Sequence, residues 1–278
     1  MLLCILRSSI RKNTMSEFKL NTSCYLARLG LTGPIAPTVE NLKLLTRAHL
    51  EAVTFENLPL YSEHREPSLA PDALYEKIVE KHRGGYCFEL NKIFGLLLDA
   101  LGYPCYGVAA RVVHHRPEPR NISHRAVVAT AGGKKWFCDV GFGGAGPKGA
   151  LSMDTDEIQT VYGDSFRIVP EGKNLVVLRL EQNQEERVLV FRDEPWLDVD
   201  FDVLNAYYAV HPKSVFRNKR ILYRCTADGW INLTENTFTT CSAGVVTGVV
   251  LEESQIPELL ETRFGLTVPC GKYSENNN

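Results

Sequence analysis

The sequence has no feature that points to a membrane or a nucleic acid as a partner. No apolar stretch approaches the roughly 20 residues that a membrane-spanning helix needs. The 31 Lys and Arg residues do not exceed the 33 Asp and Glu residues, and the net charge is −2. Nucleic-acid-binding domains usually carry a basic excess. We therefore predict a globular protein whose partners include neither a membrane nor a nucleic acid.

Cysteine pairs and nucleotide-binding motifs are also missing. The eight cysteines include no Cys-x-x-Cys pair, and no convincing secretion signal precedes them. We interpret them as mostly reduced thiols of an intracellular, cytoplasmic protein, because disulfides persist mainly in oxidising compartments. The glycines of residues 141–146 follow a predicted strand. Their spacing matches no dinucleotide-binding or phosphate-binding loop, and no helical pattern follows them.

Residues 1–14 differ from the rest of the chain. Their apolar start is too short for the apolar part of a signal peptide, and the basic residues follow it instead of preceding it. Met15 opens a segment that is typical of a protein start. We predict a disordered extension or a misassigned start codon, and an organelle-targeting peptide is the alternative.

Three successive patterns predict an α+β protein of several domains: residues 15–103, 104–199 and 200–278. The first has helical periodicity, the second has short strands that favour an antiparallel barrel or sandwich, and the third mixes both. The predicted helices cover residues 39–53, 71–80, 87–101, 203–209 and 256–264. The predicted strands cover residues 106–113, 125–130, 135–140, 166–169, 175–180, 187–191, 221–225, 230–233 and 245–250.

Residues 83–91, Arg-Gly-Gly-Tyr-Cys-Phe-Glu-Leu-Asn, place a cysteine where an apolar helix begins. A helix that is apolar on nearly every side is buried in a core. Unpaired backbone N–H groups and the helix dipole at such a position stabilise a thiolate. Cys87 is therefore a candidate nucleophile, provided that a histidine and a carboxylate can reach it.

His124 and Asp139 are the predicted partners of this cysteine. Gly132 and Gly133 separate two predicted strands, which is the signal of a two-residue hairpin. In that register residue 126 lies opposite residue 139, so Asp139 becomes a diagonal neighbour of His124 on the same face. The three residues then form the nucleophile, base and orienting carboxylate of a Cys-His-Asp triad.

Other interpretations of these residues are weaker. Cys87 alone is more often a buried structural thiol, but packing does not require the two glycines before it. A zinc site built from Cys87, His124, Cys138 and Asp139 lacks ligand pairs at zinc spacing, so we expect no metal. We expect the consecutive pair His114 and His115 on a solvated loop.

Five ordered motifs resemble the arylamine N-acetyltransferase family over most of the chain after Met15. The motifs are Tyr-Leu-Ala-Arg-Leu-Gly at 25–30, Phe-Glu-Asn-Leu at 55–58, the cysteine motif at 83–91, Ser123-His124 with Asp-Val-Gly-Phe-Gly at 139–143, and the segment 205–216. Thr54 departs from the family, which usually has proline there. Thr54 and Tyr86 are expected to border the acceptor pocket.

The resemblance implies a helical bundle, a central β-barrel and a C-terminal α/β lid around a cysteine-protease-like core. It implies that Cys87 takes an acetyl group from acetyl-coenzyme A, the cosubstrate, and passes it to an arylamine, arylhydrazine or arylhydroxylamine. By analogy, coenzyme A lies near Gly141, Gly143 and Tyr207, and Phe55 and Phe142 line the aromatic pocket. Arg28 and Glu56 are expected to form a structural ion pair.

Two alternatives use the same triad. One is an amide synthase of a biosynthetic pathway, and the other is a thiol peptidase or transglutaminase-like hydrolase. Peptidases of this kind are mostly secreted or made as zymogens, which makes the hydrolase the weaker interpretation. The natural amine, the choice among acetyl, propionyl and malonyl donors, and the oligomeric state stay open at this point.

Overall fold

The computed structural model of the chain describes residues 18–116, 118–181 and 184–266. The predicted extension at residues 1–14 lies outside them. The helices are α1 (Thr22–Arg28), α2 (Val39–Ala52), α3 (Leu58–Tyr61), α4 (Pro71–Tyr75), α5 (Cys87–Ala100), α6 (Asp198–Val210), α7 (Val215–Asn218) and α8 (Ile256–Phe264). A π-helical turn, Glu76–Glu80, continues α4, and a 3₁₀ turn, Glu253–Gln255, precedes α8.

The strands form two antiparallel sheets. They are β1 (Phe55–Glu56), β2 (Cys105–Val112), β3 (His124–Ala131), β4 (Lys134–Cys138), β5 (Leu151–Ser152), β6 (Gln159–Val161), β7 (Asp164–Glu171), β8 (Asn174–Glu181), β9 (Gln184–Phe191), β10 (Ile221–Thr226), β11 (Gly229–Thr234), β12 (Thr237–Ser242) and β13 (Val245–Val250). One sheet has eight strands in the order β5-β4-β3-β2-β9-β8-β7-β6, and the other has five in the order β1-β10-β11-β12-β13.

The N-terminal helices surround α5. This helix is buried over most of its length because ten of its fourteen residues, counting Gly95, are apolar, and it packs with α2 in one large core. The predicted helices at 39–53 and 87–101 are confirmed within a residue or two. The predicted helix at 71–80 is α-helical only in its first half, and Lys81 N closes the wider second half on Glu76 O at 2.9 Å.

The eight-stranded sheet curls into a nearly closed barrel. Its interior holds an apolar cluster that includes Val108, Val128, Phe137, Phe166 and Leu189. The edge strands β5 and β6 are joined by one side chain: the Gln159 amide accepts from Ser152 N at 2.7 Å and donates to Ser152 O at 2.9 Å. Of the two predicted architectures, barrel or sandwich, the structure therefore has the barrel-like one.

Strand β3 is buried on both faces because it lies between the barrel interior and α5. Ala126 and Val128 point into the barrel, whereas Val127 and Ala129 belong to the core that contains α5. Successive side chains of a strand point to opposite faces. The helix that begins with Cys87 is consequently packed directly on the strand that begins with His124.

The C-terminal sheet incorporates a strand from the N-terminal part of the chain. β1 pairs with β10 through Phe55 and Tyr223, and α8 covers one face of the sheet with Ile256, Leu260 and Phe264. Strand β12 was not predicted, since its Thr-rich sequence lacks an alternating apolar pattern. Helix α6 begins earlier than predicted, at Asp198. The domain boundaries at residues 103 and 199 stay predictions.

Within the described ranges, no helix combines the length and the apolar character needed to cross a membrane.

Asn57 connects the N-terminal part of the chain to the backbone of residues 216–221, and a substitution there tests this connection. It is fully buried, donates to Phe216 O and Lys219 O at 2.6 and 2.7 Å, and accepts from Ile221 N at 2.8 Å. Asn57→Ala leaves three backbone groups without this partner. We expect the free energy of unfolding, measured by urea denaturation, to fall by about 2–4 kcal/mol.

Asn174→Ala is the matched control. Its side chain accepts one exposed hydrogen bond from Arg192, so we expect a change within about 0.5 kcal/mol. Equal effects of the two substitutions would contradict the role given to Asn57.

Candidate active site

Cys87 is the first residue of α5, and its side chain is almost completely buried. The Glu89 carboxylate in the first turn accepts a hydrogen bond from Tyr86 N at 3.2 Å and pairs with Lys77 at 2.7 Å. The helix start is thereby capped and fixed. The Cys87 Sγ atom lies 3.7 Å from Ser123 O, immediately before β3.

The hairpin of β3 and β4 has the register predicted from its two glycines. Gly132 and Gly133 have φ values of +59° and +74°, which suit a two-residue turn, and Val127 lies opposite Cys138. His124 opens β3 and Asp139 follows β4 directly. His124 Nε2 lies 2.7 Å from Asp139 Oδ2, so the predicted contact between the two side chains is present.

Asn91 ties the Asp139 carboxylate to the helix that carries Cys87. Its Nδ2 atom donates to Asp139 Oδ1 at 2.9 Å and to Arg125 O, and its Oδ1 atom accepts from Val140 N at 3.0 Å. Gly141 N also donates to Asp139 Oδ1 at 2.9 Å. Each oxygen of this buried carboxylate therefore has a donor, as a buried charge requires.

Gly141 allows the hairpin to approach the start of α5. A Cβ atom at this position would lie 2.8 Å from Cys87 Cα and 2.8 Å from Asn91 Nδ2, both far too close. The ring of the next residue, Phe142, packs edge to face against the His124 ring, with the centroids 5.7 Å apart. Only glycine fits between the helix and the hairpin here.

The charge state of His124 follows from its neighbours. Burial by itself lowers the pKa of this imidazole, but the Asp139 carboxylate and the hydrogen-bonded Cys87 raise it to about 10. His124 is consequently an imidazolium at neutral pH, between a carboxylate and a sulfur atom. A cysteine beside a charged imidazole is the arrangement that nucleophilic cysteines use.

A cleft of about 580 Å³ opens onto this group. Every predicted site residue lines it except Asp139, which is buried behind His124: Phe55, Cys87, His124, Gly141, Phe142, Gly143 and Tyr207. Gly143 has φ +73°, and a Cβ atom there would lie 2.7 Å from the Phe55 ring. The rings of Phe55 and Phe142 thus form an aromatic wall in the cleft that Cys87 also lines.

Sequence reasoning missed several residues of the site. Asn91 was part of the cysteine motif but was given no role. Its position one helical turn after Cys87 places it on the same face of the helix, and that spacing could have indicated a role in the site. Arg116, Arg120 and Lys213 also line the cleft. Arg116 and Arg120 lie outside the five motifs, whereas Lys213 lies within the segment 205–216. Only the folded chain brings the three together.

Two expectations about neighbouring residues were wrong. Arg28 does not pair with Glu56. It donates to Ala52 O at the end of α2 and to Ile78 O in the π-helical turn, while Glu56 pairs with Arg83 at 2.9 Å. Thr54 and Tyr86 do not border the cleft. Both are buried, with the Thr54 hydroxyl donating to Phe264 O at 2.9 Å and the Tyr86 hydroxyl to Asn205.

Comparison with known proteins places the chain in a class and then in a family. A sequence model of N-acetyltransferases matches residues 38–272. The arylamine N-acetyltransferase / N-hydroxyarylamine O-acetyltransferase of Salmonella typhimurium is 31% identical over 260 residues, 90% of this chain and 90% of that protein. The chain belongs to the arylamine N-acetyltransferase family.

Solved structures agree with this assignment. A structure of the Mycobacterium smegmatis N-arylamine acetyltransferase has a TM-score of 0.87 at 25% identity, covering 91% of this chain and 96% of that chain. The Mycobacterium marinum arylamine N-acetyltransferase in complex with CoA has a TM-score of 0.84 at 28% identity, covering 88% and 92%.

The raised pKa of His124 predicts a pH dependence of stability. An imidazole in the unfolded chain has a pKa of about 6.5, whereas the folded value is about 10. Its contribution is therefore complete below about pH 6.5 and is lost as the pH rises through about 10. We expect the difference in free energy of unfolding between wild type and Asp139→Asn to shrink from pH 7 to pH 10, measured by urea denaturation.

Asp156→Asn serves as the control, because Asp156 is exposed on the barrel surface. Its difference from wild type should stay constant over the same interval. If the difference for Asp139→Asn also stayed constant, Asp139 would not be raising the pKa of His124.

Proposed function

We propose that this chain transfers an acetyl group from acetyl-coenzyme A to the nitrogen of arylamines, arylhydrazines or arylhydroxylamines through an acetyl-Cys87 intermediate. The observation that carries the proposal is the buried row of Cys87, His124 and Asp139, whose first two members open onto the cleft. Membership of the arylamine N-acetyltransferase family supports the same reaction.

In the first half-reaction the Cys87 thiolate attacks the thioester carbonyl. The new carbon–sulfur bond forms first, and the bond to the coenzyme A sulfur then breaks as the carbonyl re-forms. The His124 imidazolium gives its proton to that sulfur, so coenzyme A leaves as a thiol. Backbone N–H groups at the start of α5 are the candidates for stabilising the developing oxyanion, since the first N–H groups of a helix have no partner within it. Asp139 keeps the His124 ring oriented throughout.

Acylation prepares His124 for the second half-reaction. A thioester carries no negative charge, so the contribution of Cys87 to the raised pKa of His124 is lost when the acetyl group is bound. The imidazole, neutral after giving its proton to coenzyme A, can then accept the proton of the attacking amine. An arylamine is weakly basic and neutral at pH 7, so its nitrogen attacks directly. The two half-reactions give ping-pong kinetics.

The cations that line the cleft suit the phosphate groups of coenzyme A. Arg116, Arg120 and Lys213 lie along it, and Gly141, Gly143 and Tyr207 line its walls. Guanidinium and ammonium groups are the usual phosphate partners in proteins. The solved complex of the Mycobacterium marinum relative with CoA supports a coenzyme A site in this fold.

Phe55 and Phe142 are proposed as the acceptor pocket. Both rings line the cleft beside Cys87 and His124, and aromatic faces and edges pack favourably against an aryl ring. The Salmonella typhimurium relative is also named an N-hydroxyarylamine O-acetyltransferase, which supports an aromatic acceptor.

The finer organisation belongs to the same proposal. Residues 15–103 form the helical bundle that carries the nucleophile, residues 104–199 the barrel that carries His124 and Asp139, and residues 200–278 the interdomain helix and lid. We also propose a cytoplasmic location. The described cysteines are all free thiols, which fits a reducing compartment.

Intact-protein mass spectrometry tests the intermediate. After brief exposure to acetyl-coenzyme A, we expect one acetyl adduct per chain, which disappears when an arylamine is added. Cys87→Ala should form no adduct and show no turnover. Cys138→Ala is the matched control, because Cys138 is an equally buried thiol that packs in the core, and it should still form the adduct.

An adduct that persists in Cys87→Ala would overturn the assignment of the nucleophile. If acetyl-, propionyl- and malonyl-coenzyme A all leave the wild-type mass unchanged, an amide synthase or a thiol hydrolase becomes the better interpretation.

A further inference from the structure

Two consecutive histidines face a glutamate outside the proposed triad. His114 and His115 follow β2, and Glu186 belongs to β9. The two strands are antiparallel neighbours, and Val113 N donates to Val188 O at 3.0 Å, so the turn after β2 lies beside the first half of β9. Both histidines were predicted to lie on a solvated loop. This holds for His115, whose side chain is 75% exposed, but not for His114, whose side chain is only 21% exposed.

The side chains converge on one point. His115 Nδ1 lies 2.6 Å from one Glu186 oxygen, and His114 Nε2 lies 3.1 Å from the other. The ring centroids of the two histidines are 4.0 Å apart. One ligand atom from each of the three residues lies within 4.8 Å of the others. Modest side-chain rotations would bring all three to the bond lengths of about 2.0–2.2 Å that zinc requires.

The present contacts leave one of these ligand atoms unsatisfied. His114 Nε2 is inaccessible to solvent, and its 3.1 Å approach to Glu186 lacks the geometry of a hydrogen bond. A buried polar nitrogen without a partner costs free energy. The exposed side of His115 leaves a route by which an ion can reach this atom.

We propose that His114, His115 and Glu186 bind one divalent transition-metal ion such as Zn²⁺. Two imidazoles and one carboxylate are a donor set for zinc, copper or nickel, and water completes the coordination. Magnesium and calcium prefer all-oxygen sites and are not expected here. The positive charge of Arg179 acts on His114 and disfavours a cation there. Arg179 also forms ion pairs with Asp164 and Glu181, which reduce this effect.

The ion would connect the barrel to the wall of the cleft. His114 lines the cleft, together with Arg116 two residues later, whereas Glu186 belongs to a barrel strand. A bound ion therefore restrains the segment that follows β2. It has no part in the proposed acetyl transfer, and the site stands or falls independently of that reaction.

Metal titration of the Cys87→Ala protein tests the site without interference from the nucleophile. We expect isothermal titration with Zn²⁺ to give one ion per chain. Co²⁺ should give a visible spectrum without a thiolate charge-transfer band. Loss of a ligand should weaken binding about tenfold or more, so His115→Asn and Glu186→Gln in this background should each do so. Zn²⁺ should also slow amide hydrogen exchange in peptides that contain His114 and Glu186.

His64→Asn is the matched control. His64 is an exposed histidine with φ +48°, close to the +49° of His115, and asparagine tolerates this conformation in both places. The His64→Asn variant of the Cys87→Ala protein should bind Zn²⁺ as tightly as the Cys87→Ala parent. The proposal is overturned if the parent binds no ion stoichiometrically, if a thiolate band shows binding to another cysteine, or if His115→Asn and Glu186→Gln retain the parent affinity.

Discussion

The docking of the first turn of α5 on the β3–β4 hairpin is the contact on which the candidate active site depends. It buries the Asp139 carboxylate, which is tolerable only because His124, Asn91 and Gly141 N supply donors on all sides. Two of these donors also have a second role: His124 contacts Cys87, and Asn91 holds the hairpin to the helix. The electrostatics of the site and its packing are therefore one arrangement, and a change in either alters the other.

The cleft requires parts of the chain that are far apart in sequence. Phe55 comes from β1, which is a strand of the C-terminal sheet, and Asn57 binds the backbone between α7 and β10. Phe142 and Gly143 come from the segment after β4, and Lys213 from the segment after α6. The hydrogen bonds of Asn57 thereby hold β1, which carries Phe55, against α7 and β10.

Local patterns predicted much of this structure. The long helices and most strands follow from periodicity, and the hairpin register follows from Gly132 and Gly133, so the contact of His124 with Asp139 could be predicted before any coordinates. The errors concern features without a local signal. The polar strand β12 has no apolar alternation, and Arg28 and Glu56 found partners that only three-dimensional packing brings near.

The sequence by itself determined which chemistry is available: a cysteine at a helix start, a histidine and an aspartate at matched hairpin positions, and motifs that identify the family. Tertiary structure alone decided the surroundings of that chemistry. The role of Asn91, the cations of the cleft, the closure of the barrel through Gln159 and the meeting of His114 and His115 with Glu186 all depend on contacts between distant segments. Helix and hairpin signals are local because backbone hydrogen bonds and side-chain periodicity act over a few residues, whereas such contacts exist only once the segments have packed together.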